Sequence, residues 1–389
     1  MKQLLKKELQ LEEALAVAVI VIFALLVGIF FINKRLTSSV NTNNQAMTEL
    51  ASLKKQIDDL NNQDQTKRNN DLEAKLKQME DVYKKSVSVY ESLVDLRILS
   101  KNNTADLDKA YANLVSDLSM ADYPSATTKL TKLASDISAQ NAKIIAASIP
   151  VAAPASNTPP TAGAGQQTVK TDIGDYVVSI VSADLGSTKV IVDTASDGDC
   201  TDNCPVMSVA AYAARSGAYA GINGTYFCPA SYPTCAGKTN SYDLLVMNKN
   251  KTYFNSGNNT YSNNPAVIFG GSYVRFVGQA SEWGRDTGID GMLSNYPLTV
   301  QGGTINVHNS SDPKMGSKGN RSFVGNRGNT VYIGVVFNVT VDESGHVLKA
   351  LGLDNALNLD SGGSTALWNG GYKVGPGRDI PNAILFVKK

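Results

Sequence analysis

At 389 residues the chain is long enough for two globular domains, and 36 basic against 35 acidic residues leave it a net charge of +1. That balance, with basic residues scattered and not interleaved with aromatics, gives no sign of a nucleic-acid partner, and none is expected. The first third lacks the aromatic and glycine content of a globular core, which argues for one main globular domain in the C-terminal part.

Ala14 to Ile32 is an uninterrupted apolar run, close to the length that crosses a bilayer and too long for a signal-peptide core. Asn33-Lys34-Arg35 follows it in place of a small-residue cleavage site, so residues 1–36 read as an uncleaved signal anchor, not a cleaved signal peptide. Lys2, Lys6 and Lys7 precede the span and Lys34 and Arg35 follow it, a balance that slightly favours a cytosolic N-terminus. The expected localisation is a single-pass membrane protein with its C-terminal domain extracytoplasmic.

Residues 37–148 read as a helical stalk. Met47, Leu50, Leu53, Ile57 and Leu60 recur at spacings of three and four, and Leu72, Leu76, Met79, Tyr83 and Val87 resume the stripe after the polar stretch 61–70. Leu107, Tyr111, Leu114 and Leu118 extend it, Asp122-Tyr123-Pro124-Ser125 stops and restarts it, and Leu130, Leu133 and Ile137 continue. A long parallel coiled coil with self-association, and a helical hairpin or small bundle from about 70 to 148, all fit. The segment's charges read as a solvated face without chemistry. Residues 149–170, rich in Pro and Ala, read as an extended linker.

From 171 to 389 the texture becomes short strands and turns: Tyr176–Val181, Lys189–Asp193, Ala266–Phe269, Tyr273–Val277, Thr330–Thr340 and Ala383–Val387. Helices are expected at Val206–Arg215 and near Val347–Leu351. Without β-α-β alternation, this predicts an α+β domain of mixed or antiparallel sheet with few flanking helices. Cys200, Cys204, Cys228 and Cys235 fall within 36 residues of one another, at spacings foreign to zinc sites. Two disulfides in an oxidising compartment are expected; three pairings are open, and the local loops Cys200–Cys204 and Cys228–Cys235 are preferred.

Three segments can carry chemistry. Asn358-Leu359-Asp360-Ser361-Gly362-Gly363-Ser364-Thr365 delivers one carboxylate into a glycine turn whose N–H groups can face an anion. Gly221-Ile222-Asn223-Gly224-Thr225-Tyr226-Phe227 places an amide and aromatic rings at a strand end, suited to sugar hydroxyls and a sugar face. Asn320-Arg321-Ser322-Phe323-Val324-Gly325 places an arginine at the entrance to an apolar strand, where it can clamp phosphate. Read singly, each is also an ordinary turn or surface charge.

In their order and wording these segments resemble the phosphodiester glycosidase family over about 175–389. The family's helix followed by G-I-N-G-G-F-F is similar to Met207–Phe227, its G-G-P-L-L-V followed by a glycine turn to Leu293–Gly303, its R-T-A-I-G to Arg321–Gly325, its N-L-D-G-G-G-S-T to Asn358–Thr365, and its closing arginine and N-A-L-L to Arg378 and Asn382–Leu385. Thr225 and Ser361 stand where the family has glycine, and Ser322-Phe323 where it has Thr-Ala. The resemblance implies hydrolysis of a sugar-1-phosphodiester at the glycosidic C–O bond, on a phosphorylated glycan or sugar-phosphodiester of the cell envelope. Asp360 would stabilise the oxocarbenium-like centre or orient water. Arg321, with Arg378 and the N–H groups around Gly362 and Gly363, would hold phosphate. Asn223, Ser364 and Thr365 would read sugar hydroxyls, with Gly224 and Tyr226 beside them.

Two other readings compete. Two-carboxylate hydrolysis would pair Asp360 with Asp354, Asp243, Glu282 or Asp286. A non-catalytic glycan-binding module would use the same groove. Serine–histidine catalysis is not expected: His308 lies in a polar loop, and His346, in Glu343-Ser344-Gly345-His346, reads as a hairpin turn. No cofactor, metal-ligand cluster, phosphate loop or dinucleotide fingerprint is read.

Overall fold

A computed structural model describes residues 2–101, 103–149, 153–257, 263–307 and 312–389, so His308 lies outside the described residues. The chain forms two compact units, Met1–Glu80 and Asp81–Lys389. The first holds helix α1 (Lys2–Asn61) and the opening turns of α2 (Asp64–Leu99). From Leu15 onward α1 is long and apolar enough to cross a membrane, and no part of that apolar window is buried against protein. The stripe Met47, Leu50, Leu53, Ile57 and Leu60 is exposed as well.

The second unit opens with a three-helix bundle of the remaining turns of α2, α3 (Ala105–Ser119) and α4 (Tyr123–Ser148). Leu93, Leu96, Leu114, Leu130 and Leu133 form its core. The Asp122 carboxylate caps α4 by accepting the Ser125 N–H at 3.1 Å, and Pro124 sits in the first turn, where its missing N–H costs nothing. The described residues of 81–148 thus pack as a small bundle.

Three antiparallel sheets follow among the described residues. The largest runs, in spatial order, Gly163–Thr171, Gly174–Asp184, Thr330–Val339, Gly319–Arg327, Asn355–Asn358, Leu298–Gln301 and Thr304–Ile305. The second runs Tyr372–Val374, Leu367–Asn369, Ala220–Asn223, Asn382–Lys388 and Thr188–Thr194. The third is built from Tyr253–Phe254, Val246–Met247, Gly291–Ser294, Ala266–Phe269 and Val274–Val277. One apolar core joins all three: Ile333, Val335 and Leu357 of the first, Ile222, Ile384 and Phe386 of the second, and Val246, Val267 and Leu293 of the third. Helix α5 (Val209–Ser216) covers the outer face of the second sheet through Val209 and Tyr212. The fold is α+β with a β-rich C-terminal domain, and both disulfides close local loops, Cys200–Cys204 and Cys228–Cys235.

Two segments differ from their sequence reading. Gly163–Thr171, all but its last residue within the stretch read as linker, is a strand paired with Gly174–Asp184 along its whole length. Its glycines and paired glutamines disguise it, yet Val169 is fully buried, and Gln167 Nε2 donates to the Ser156 and Thr158 carbonyls at 2.7 and 3.1 Å. His346 lies in a helix, Val341–Ala350, and not in a hairpin turn. Thr340 and Glu343 form a reciprocal capping box, which starts the helix before Ser344-Gly345. Gly345 is suited to the close approach there, since a Cβ would stand 3.3 Å from the Thr299 carbonyl.

Candidate active site

Asp360 stands where the chain leaves the first sheet at Asn355–Asn358 and enters the second at Leu367–Asn369. Backbone bonds fix this crossover: the Leu359 N–H donates to Ser322 O at 2.9 Å and the Asp360 N–H to Gly224 O at 3.0 Å. Gly362 has φ +62°, a left-handed conformation natural to glycine. Ser361, at φ −139°, is extended, so the serine standing at a family glycine position introduces no backbone strain.

A cavity of about 260 Å³ opens against this turn. Asp360, Ser361, Gly362 and Ser364 line it, together with Tyr226, Arg321 and Arg378. Of the expected site residues, these share the cavity. Burial pushes the Asp360 carboxyl up to about 6; the Ser364 hydroxyl, Arg378 and the Ser361 N–H oppose that rise, and Asp95 adds to it. The Ser361 N–H donates to Asp360 Oδ1 at 2.8 Å.

Arg378 lies flat on the turn. Its N–H donates to Gly363 O at 2.8 Å, and a Cβ on Gly363 would stand 2.2 Å from Nη2. Nη2 is bonded to Asp95, whereas Nε and Nη1 are buried and have no hydrogen-bond partner among the described residues. Buried guanidinium donors demand an acceptor, and a phosphate oxygen supplies one. Arg321 is placed differently. It is buried, with Nε donating to Val339 O at 3.2 Å and Nη2 to the carbonyls of Lys314 and Ser317. Burial lowers its pKa. It clips the 314–317 turn to the end of a strand while reaching the cavity wall, so Arg321 is already engaged where Arg378 keeps two donors without a partner among the described residues.

Asn223 is fully buried behind the wall. Its Nδ2 donates to Asp360 O at 2.6 Å, and its Oδ1 accepts from Ser322 Oγ at 2.9 Å and the Ala366 N–H at 3.1 Å. That amide braces the Asp360 crossover and has no face toward a sugar. Gly224 is equally enclosed: a Cβ there would stand 1.9 Å from Asn382 Oδ1. Thr225, another departure from the family pattern, does not line the cavity. Its Oγ1 accepts from Asn382 Nδ2, and its N–H donates to Asn382 Oδ1, each at 2.9 Å. Thr365 is buried, its hydroxyl 3.4 Å from Asn320 O. Tyr226 presents its ring 4.9 Å from that of Tyr296 and accepts from Asn358 Nδ2 at 2.6 Å.

Sequence reasoning passed over several residues of this site. Asn382 and Asn295 supply the amides that hold Gly224–Tyr226; Asn295 Oδ1 accepts the Tyr226 N–H at 3.0 Å. Tyr232, inside the Cys228–Cys235 loop, has Lys314 Nζ 4.9 Å and Arg378 Cζ 5.1 Å from its ring centre. The bundle also reaches the site. Asn141 of α4 lines the cavity with Oδ1 buried and without a partner among the described residues. Asp95 of α2 bonds Arg378 and accepts from Tyr232 OH at 2.7 Å, and Glu91, one turn earlier, bonds Lys314 at 3.1 Å and Thr234. The segment's charges are therefore not simply a solvated face. The carboxylates considered as partners of Asp360 do not line this cavity; Asp354, for one, accepts the Gly328 N–H at 2.7 Å.

Comparison with known proteins bears on the same region. No curated protein matches the sequence. Among solved structures, the zebrafish N-acetylglucosamine-1-phosphodiester alpha-N-acetylglucosaminidase catalytic domain, auto-inhibited by pro-peptide, is similar at 16% identity and TM-score 0.46, over 61% of this chain and 87% of that one. A hypothetical protein from Synechocystis is similar at 13% identity and TM-score 0.40, over 58% of this chain and 62% of that one, less than two thirds of its length. Residues 216–387, in the C-terminal part of the chain, match the family model for phosphodiester glycosidases.

Proposed function

We propose that the protein is a membrane-anchored, extracytoplasmic hydrolase that cleaves a sugar-1-phosphodiester of a cell-envelope glycan at the glycosidic C–O bond. The observation that carries the reading is Arg378: two buried guanidinium donors, without a partner among the described residues, beside Asp360 on one cavity wall. The leaving group is a phosphate ester, which needs its charge met more than it needs a proton. Arg378 would donate to its oxygens as negative charge grows there. Asp360, ionised, would face the electron-poor anomeric carbon or hold the attacking water. The tyrosine pair Tyr226 and Tyr296 would offer a surface for a sugar face. Water adds to the anomeric carbon, the C–O bond breaks toward the phosphate, and a reducing sugar and a phosphomonoester leave. The departures at Thr225 and Ser361 leave Asp360 and Arg378 in place, which favours turnover over glycan binding alone.

The apolar window of α1 supports the anchor, and the two disulfides support an oxidising location for the domain. The exposed stripe from Met47 to Leu60 supports self-association along that helix.

The test is hydrolysis of a sugar-1-(alkyl phosphate) by the full chain in detergent, run in ¹⁸O-labelled water. Label in the sugar and phosphomonoester in solution are expected. D360N and R378A should each lower kcat/KM by at least ~100-fold. Label in the phosphate, or near-normal rates for both variants, would overturn the proposal.

A further inference from the structure

Every basic side chain bordering the cavity through an exposed ammonium or the Arg378 guanidinium has a carboxylate of its own. Lys314 is held by Glu91 at 3.1 Å, Lys318 by Glu343 at 3.0 Å, and Arg378 by Asp95. Glu91 and Asp95 come from α2, outside the segment that matches the family model. Asp95 is the one closest to the chemistry. It shares Arg378 with Asp360, and a Cβ on Gly362 would stand 3.3 Å from its Oδ2.

This pairing leaves the Arg378 corner short of positive charge. Between two carboxylates, one guanidinium can accept a singly charged phosphate group through its open Nε and Nη1 donors. A doubly charged group meets the same donors but twice the repulsion from Asp95, and in a partly enclosed site that repulsion is weakly screened. The proposed substrate, a phosphodiester, carries one negative charge; the phosphomonoester it releases carries close to two at neutral pH. Specificity built from a repulsive element is a general device.

We propose that Asp95, supplied by the helical bundle, is a specificity-determining residue that favours the singly charged phosphodiester over the doubly charged phosphomonoester. The inference rests on the hydrolase reading above. It explains why a site meant to bind phosphate carries a carboxylate on its principal cation: product departs because the site is tuned against its charge.

The test is calorimetric binding of methyl phenyl phosphate and phenyl phosphate to the full chain in detergent at pH 8. The wild type should favour the diester. D95N should shift the affinity ratio toward the monoester on the order of tenfold, as the loss of one nearby charge at an effective dielectric near 20 implies. D95S should do the same, and D95E should keep the wild-type ratio. An unchanged ratio in both neutral variants, equal losses for both probes, or D95E behaving as D95N would overturn the inference alone. Failure of the wild type to bind either probe would overturn the phosphate site and this inference together.

Discussion

The guanidinium of Arg378 rests directly on Gly363, so closely that a Cβ on that residue would stand 2.2 Å from Nη2 and 3.0 Å from Cζ. The backbone of Gly363 is not left-handed, so alanine is sterically acceptable to the turn itself. What G363A cannot keep is the arginine's position. We expect G363A to lower kcat/KM on the order of 100-fold, as R378A does, with little change in melting temperature. Full activity in G363A would show that Arg378 need not lie against the turn.

A working Asp360 would give the site its pH dependence. Burial raises its carboxyl to about 6; Asp95 pushes the same way, while Ser364, Arg378 and the Ser361 N–H pull back. If the ionised form works, kcat/KM rises with pH through about 6 and then levels. Removing the Asp95 charge in D95N should move that acid limb to lower pH. Stability runs oppositely. A carboxyl whose folded pKa lies above its unfolded value near 3.8 contributes stability that is fully present below that value and lost as pH rises through about 6. D360N, neutral at every pH, should therefore melt above the wild type at pH 8 and not at pH 4, a comparison calorimetry can make.

The buried amide of Asn223 serves three partners at once. In N223A the Ser322 hydroxyl and the Asp360 carbonyl lose that amide inside the protein, where water cannot fully replace it. A loss of about 2–4 kcal/mol in unfolding free energy is expected, measurable by denaturant titration. Because the amide braces the crossover without facing the cavity, kcat should suffer more than KM. N223D should not rescue it: a carboxylate cannot donate to the Asp360 carbonyl.

Part of this site was legible in the sequence because local chemistry demands particular residues. A left-handed turn at Gly362, a guanidinium against Gly363 and a close approach at Gly224 each need the glycine that is there. The strands were legible from their apolar runs, and the start of α4 from Asp122 and Pro124. Partnership across long sequence separations was not legible. Asp95 and Glu91 sit on a charged helix face that looks like any solvated face, and only tertiary packing gives them Arg378 and Lys314. Asn223 has the amide of a sugar-binding residue, but three buried neighbours engage it on both its nitrogen and its oxygen. His346 looked like part of a turn because Ser-Gly is a turn signal, while the capping box three residues upstream carried the opposite instruction.

The two disulfides make different predictions although both close short loops. The Cys228–Cys235 loop carries Tyr232, whose hydroxyl donates to Asp95 and whose ring faces both Lys314 and Arg378. A closed loop of this size restrains the unfolded chain by about 2–3 kcal/mol in the chain-entropy picture. Opening it in C228S/C235S should lower the melting temperature, and it should also loosen Tyr232 and raise KM. The Cys200–Cys204 loop lies among bonds between Asp202 and Thr239, and it does not line the cavity. C200S/C204S should cost comparable stability and leave KM unchanged. Equal KM values in the two variants would mean that Tyr232 is held by the bundle alone, through Asp95, and that the disulfide contributes stability without shaping the site.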